Sequence, residues 1–268
     1  MTENKPSLAD IRAAHSSRAA YERYLFANTW FFRPLSYPLT WAAVRAGLSS
    51  EAVSWLSGLA ALGGLACLAL PDPCLGAGVA LLFLFNLLDC ADGDVSRVMR
   101  TRNPYGRFLD SAMWWADMLF WTVAGWAVMR APGLRQAGAA LGLPPGVWLA
   151  AGIALSFLIS YAAYIEGVFD QVLRPHWEAL QRRDGVEPAA TPIAGKPPPE
   201  AALRVLVHNL RVRETHYALA ALCFAAGCAD VMLLFFFLFN LVFCAALMLS
   251  YCRRGRRIRA AGLGREGA

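Results

Sequence analysis

Asp89, Asp92 and Asp110 are the residues best placed for chemistry, because all three lie at the edges of stretches apolar enough for a bilayer. Charge is costly there, so clustered carboxylates point to a function. Asp89 and Asp92 are three residues apart and share one helical face. Gly93 follows directly and removes a side chain where a ligand backbone or phosphate could approach. Arg97 lies one turn further on, and a polar, basic connection leads to Gly106 and Asp110. If the two flanking helices pack side by side, three carboxylates converge just inside the interface. That many hard oxygen ligands suit Mg²⁺ or a similar ion, bound with help from substrate phosphates. Taken singly, each Asp could instead pair with a neighbouring arginine at headgroup level.

The elements that must hold these residues are legible from hydropathy. The chain has 268 residues, of which 57% are hydrophobic and 16% charged, whereas a soluble domain is usually about a quarter charged. Ala52–Leu70, Gly146–Ile165 and Val231–Cys252 carry no charge, and each is near the roughly 20 residues that cross a hydrocarbon core. Leu75–Leu88 runs into the acidic stretch, Ser111–Met129 is interrupted only by Asp117, and Tyr217–Ala229 is shorter. The sequence therefore predicts an all-α integral membrane protein with six transmembrane helices in residues 51–252, forming one domain over 1–268. An interfacial amphipathic helix is expected within the lead-in, residues 1–50, and a basic tail in 253–268. The connection 171–213 contains a Pro- and Gly-rich stretch, 184–200, that reads as an irregular cytoplasmic loop.

Charge sets the expected orientation. Arg33 and Arg45 precede the first span, Arg97, Arg100, Arg102 and Arg107 follow the second, and the tail reads RRGRRIR. The positive-inside tendency then places both termini and the acidic stretch on the cytoplasmic side. No secretory signal pattern is present in the first 35 residues, and a bacterial cytoplasmic (inner) membrane is the expected location. The net charge of +6 suits contact with anionic membrane lipids and gives no reason to expect nucleic acid. The seven cysteines form no CxxC pair and suggest no zinc site.

The pattern Asp89-x2-Asp92-Gly93-x2-Ser96-Arg97-x8-Gly106-x3-Asp110 resembles the signature of the CDP-alcohol phosphotransferase family, D-x2-D-G-x2-A-R-x8-G-x3-D-x3-D, with Ser96 as the small residue in the Ala position. The stretch RPLSYPLTWAAVRAGLSSEAVSWLSGL is similar to the family's entry to its first helix, with Ser50-Glu51 in place of the usual Pro-Asn pair. The resemblance implies a membrane enzyme, commonly a homodimer, of phospholipid or polar-lipid synthesis. Such enzymes move a substituted phosphate group from a CDP-alcohol, such as CDP-diacylglycerol, to an acceptor alcohol and release CMP. It further implies that Asp89, Asp92 and Asp110 hold Mg²⁺ or Mn²⁺, and that Gly93, Ser96, Arg97 and Gly106 line the nucleotide. A pyrophosphate under attack by an alcohol needs its charge neutralised, which a divalent ion does.

The resemblance breaks at Trp114, where the family carries its general-base Asp. Indole neither accepts a proton nor binds a hard cation. Asp117 is one substitute, seven residues after Asp110, but ideal helix geometry puts it about 4.5 Å further along the axis than position 114 and rotated by roughly 60°. Asp94, Glu166, Glu214, His208 and His216 are other bases near cytoplasmic helix ends. A third reading is a catalytically impaired member that acts as a membrane-bound CDP-lipid and metal-binding partner or sensor. A general base is worth about 10²–10⁴-fold, and an acceptor that is already ionised needs none. Trp114 and Trp115 suit either an aromatic wall on the acceptor side or interfacial anchoring. Asn86 either orients Asp89 or bonds across helices. Arg204, Arg211 and Arg213 serve either an anionic acceptor or membrane topology.

Overall fold

The computed structural model describes residues 6–185 and 202–263, and every regular element among them is helical. Most of the expected cytoplasmic loop, residues 186–200, lies outside the described residues. Among the described residues, four helical stretches are long and apolar enough to cross a membrane: Ser50–Ala69, Asp72–Val98, Gly146–Arg183 and Ala229–Ala260. The first is helix α3, preceded by α1 (Leu8–Glu22) and α2 (Arg33–Arg45). The second contains α4 (Leu75–Val98) and leads to α5 (Pro104–Ala112), α6 (Trp115–Arg130) and the short α7 (Gln136–Leu141). The third joins α8 (Gly146–Val168) through a π-turn to α9 (Arg174–Arg183). Then come α10 (Ala202–Arg211), α11 (Arg213–Ala225) and the fourth long helix, α12 (Ala229–Ala260). Helices α6 and α11 have 16 and 13 residues, about 24 and 20 Å at 1.5 Å per residue.

Local chemistry sets the helix ends that matter. Ser49 caps α3, its hydroxyl accepting from the Ala52 amide at 3.1 Å. Asn103 caps α5 by accepting from the Gly106 amide at 2.7 Å, with Pro104 at the first helical position. The expected single helix from Ser111 is divided at Met113–Trp114. There Trp114, Ala116 and Asp117 donate to carbonyls three residues back rather than four. This tightened turn separates amphipathic α5, which carries Asp110, from buried α6, which carries Asp117.

Helix pairs approach closely where small residues face each other. A β-carbon on Gly125 of α6 would lie 2.5 Å from the Trp148 carbonyl oxygen, and one on Gly152 of α8 would lie 2.4 Å from that of Trp121. Both obstacles are backbone, so neither helix can yield without moving as a body. Gly152→Val is expected to destabilise the fold by at least about 1–3 kcal/mol. A thermal midpoint in detergent unchanged from wild type would remove this contact from the account.

The N-terminal helix differs from the expected interfacial element in what its buried face holds. That face carries Ile11, His15 and Glu22, all buried, and it packs on α2 and α4. Glu22 receives a two-pronged hydrogen bond from Arg33, at 2.7 and 2.8 Å, and His15 Nε2 lies 2.9 Å from the same carboxylate. The exposed aromatics are instead Phe26, Trp30 and Phe31, which lie between α1 and α2.

Candidate functional site

The C-terminal turns of α4 present carboxylates to three different neighbours. Asp92 is buried and accepts a hydrogen bond from the Ser54 hydroxyl on α3. Asp89 pairs through Oδ2 with Arg213 on α11, while its Oδ1 is buried without a hydrogen-bond partner among the described residues. Asp94 is 1% exposed and faces the other way. It receives Arg33 Nη1 at 3.1 Å and pairs with Arg97, and His15 Nδ1 lies 3.2 Å away. Of the readings open for Asp94, the structure favours a paired carboxylate over a base for the acceptor. Two residues along a helix rotate a side chain by about 200°, so Asp92 and Asp94 serve opposite faces of α4.

Both ring nitrogens of His15 face carboxylates that can only accept, so the imidazole is charged when both bonds form. Burial works against that charge, but the bonds to Asp94 and Glu22 outweigh it and raise the pKa above 6.5. Burial likewise opposes ionisation of Glu22, yet bonds from His15 and Arg33 hold its carboxyl down at about 2, against an ordinary 4.5. The Glu22 contribution is complete above pH 4.5 and is lost as pH falls toward 2. The His15 contribution is complete below pH 6.5 and is lost as pH rises through the elevated value. Docking of α1 is therefore expected to be tightest between about pH 4.5 and 6.5. Hydrogen-exchange protection of α1 amides should peak in that window, and a flat profile from pH 4 to 8 would contradict the network.

Of the residues singled out for a nucleotide, Gly93, Ser96 and Arg97 lie together near the end of α4. Ser96 donates to the Gly93 carbonyl at 2.9 Å. A β-carbon on Gly93 would press the Arg97 guanidinium at 3.3 Å, so glycine leaves that guanidinium its present place against Asp94. Gly106, on α5, uses its amide for the Asn103 cap. Asp110 is exposed, yet near enough to Asp92 for their charges to repel.

A cavity of about 530 Å³ opens between α5, α6, α8, the end of α10, α11 and α12. Asp110, Trp114 and Asp117 line one side of it, and Arg211, Arg213 and His216 another. Asp117 is buried; its Oδ1 accepts from the Tyr217 hydroxyl at 2.7 Å, and its Oδ2, which has no hydrogen bond among the described residues, lies 3.5 Å from Arg213 Nη1. Asp117 and Asp110 thus border one cavity, although the tightened turn between them gives only Asp117 a buried setting. His216 is buried between Trp121 and Phe236, with Nε2 2.9 Å from the Leu210 carbonyl oxygen. That acceptor fixes the proton on Nε2 in the neutral ring.

Other expectations resolve individually. Asn86 orients nothing: its amide is buried, and neither end has a hydrogen-bond partner among the described residues. Glu166 pairs with Arg211 at 2.6 Å. Arg204 is exposed, while His208 and Glu214 are half-buried outside the cavity lining. Sequence reasoning missed Ser54 and Tyr217. A serine inside an otherwise apolar run signals the first, and a hydroxyl one turn after Arg213 signals the second.

The residue types at the acidic end of α4 fit a divalent cation, since a buried carboxylate oxygen of Asp89 lacks, among the described residues, a partner that an ion would supply. Among the described residues, no group of three or more His, Cys, Asp or Glu side chains is gathered closely enough to hold one as they stand. No family model and no curated protein matches the chain.

Proposed function

We propose that the protein is a membrane transferase of the CDP-alcohol phosphotransferase type, moving a substituted phosphate group from a CDP-alcohol to an acceptor hydroxyl and releasing CMP. One observation carries the reading: seven motif elements stand in register from Asp89 to Asp110, and the cavity beside them is bordered by Asp110 and by Arg213, the partner of Asp89. In this reading α6 and α11 complete six spans, both termini face the cytoplasm, and two copies associate.

A divalent ion, Mg²⁺ or Mn²⁺, held by Asp89, Asp92 and Asp110 would polarise the pyrophosphate oxygens. Ser54 steadies Asp92 for that task. Gly93, Ser96, Arg97 and Gly106 would border the nucleotide, with Asp94 holding the Arg97 guanidinium in place. The acceptor alcohol enters the cavity, and its proton goes to Asp117 Oδ2, the oxygen that Tyr217 leaves unused. Tyr217 positions this carboxylate and does not touch the reacting atoms.

The decisive experiment supplies purified protein with Mg²⁺, CDP-diacylglycerol and a panel of acceptor alcohols, and measures CMP. Asp89→Asn and Asp92→Asn are each expected to lower the rate by about 10²–10³-fold, the scale of losing one electrostatic stabiliser. Asp117→Asn is expected to lower it by about 10²-fold at neutral pH; unchanged turnover would remove Asp117 from the base role. The presence of Trp114 in the cavity lining favours a second reading, a CDP-lipid and metal-binding partner without efficient transfer. Saturable CDP-lipid binding with no CMP from any acceptor would select it.

A further inference from the structure

Among the described residues, Arg213 alone touches both the carboxylate assigned to the cation and the carboxylate assigned to the acceptor. Its guanidinium pairs with Asp89 Oδ2 and lies 3.5 Å from Asp117 Oδ2. The ring of Phe85 lies beneath it at 5.5 Å. A guanidinium between two carboxylates supplies the positive charge they would otherwise lack in a low-dielectric interior. It also holds one of the two carboxylate oxygens of Asp89, Oδ2, and offsets the charge that a divalent ion at the other, Oδ1, would draw on.

We propose that Arg213 is a resident counter-cation of this site. Its pairing competes with a divalent cation for the charge of Asp89, and when the cation displaces it Arg213 becomes an anion receptor in the adjoining cavity. The proposal rests on the transferase reading only in assigning the cation to Asp89. Three features make the exchange workable. Asp117 keeps the Tyr217 hydroxyl when Arg213 leaves, so it does not become a carboxylate without a partner. The departing guanidinium already lines the 530 Å³ cavity and has room to turn into it. Arg211, also on the cavity wall, is balanced by Glu166 at 2.6 Å, which leaves the charge released from Asp89 to recruit an anion.

The ligand that benefits is a small anion, a phosphate or carboxylate group on the second substrate. Its binding and that of the divalent ion then reinforce each other, and by linkage the effect is equal in both directions. With the ion absent, Arg213 offsets the charge of Asp89 and crowds Asp117 Oδ2, so neither carboxylate is fully available to its assigned partner.

Mn²⁺ binding measured by calorimetry on the full chain in lipid nanodiscs tests this without turnover. Arg213→Gln is expected to bind Mn²⁺ about 10-fold more tightly than wild type, within the usual range of coupling between linked sites. Arg213→Met, an uncharged variant of similar length, should behave alike if the effect is loss of the competing charge. Sulfate, used as an anionic probe, should tighten Mn²⁺ binding to wild type and not to Arg213→Gln. Equal or weaker Mn²⁺ binding by both Arg213 variants overturns the exchange, and no effect of sulfate on wild type overturns the anion half. Mn²⁺ binding that survives Asp89→Asn, or is absent from every form, counts against the transferase assignment as well as the exchange. A normal Asp89 dependence combined with indifference to Arg213 defeats the exchange alone.

Discussion

Replacing Trp114 with Asp is expected to raise CMP release by about 10²-fold or more, the contribution typical of a positioned general base. Trp114 lines the cavity and lies four residues, one helical turn, after Asp110. A carboxylate there would reach the acceptor without the longer route through Asp117. Removing a half-buried indole also enlarges the cavity, so the variant should accept bulkier alcohols. The double variant Trp114→Asp, Asp117→Asn separates the two effects. If Asp117 is the present base, the double variant keeps most of the gained rate, because the new carboxylate has taken over the proton. A Trp114→Asp protein that folds and binds Mn²⁺, yet turns over no faster than wild type, would sink the idea that the missing base limits the rate.

Asp94→Asn should be the most damaging single change to the fold outside the helix crossings. It leaves the buried Arg33 guanidinium with one carboxylate, Glu22, and removes the carboxylate that holds Arg97 and His15. Breaking a buried pair by removing one partner typically costs about 3–5 kcal/mol, because a charge is stranded in the interior. The expected results are a lower thermal midpoint and loss of exchange protection in α1, with α3 and α8 retained. The double change Asp94→Asn, Arg97→Met should recover part of the loss, since the nearly buried guanidinium paired with Asp94 goes with its partner. A double variant no better than Asp94→Asn would mean that the pair is not the source of the effect.

Much of the frame is legible in the amino-acid sequence, for reasons that can be named. Uncharged runs such as Ala52–Leu70 and Val231–Cys252 read as long helices because every backbone polar group must be satisfied inside a bilayer. Asp89 and Asp92 read as one face because three residues nearly complete a helical turn. The division at Met113–Trp114 is not legible: the hydropathy of Ser111–Met129 is continuous, and hydropathy is blind to a change from four-residue to three-residue bonding. Likewise the lead-in reads as an interfacial helix, whereas the buried face of α1 is held by His15 and Glu22.

Composition and local spacing are enough to make this an all-helical, membrane-suited chain with closely spaced carboxylates at one end of a long helix. Those properties depend on each residue and its neighbours within one or two turns. Which cation meets which carboxylate is a matter of helix packing. Asp89 takes Arg213 from 124 residues away, and Asp94 takes Arg33 from 61 residues away. Charges of one type are interchangeable along a sequence, but in a low-dielectric interior each must be matched by a partner within a few ångströms. The spacing of the aspartates therefore shows where chemistry is available, and the packing assigns Asp94 to the fold, puts Asp110 and Asp117 on the cavity wall, and links Asp89 to that wall through Arg213.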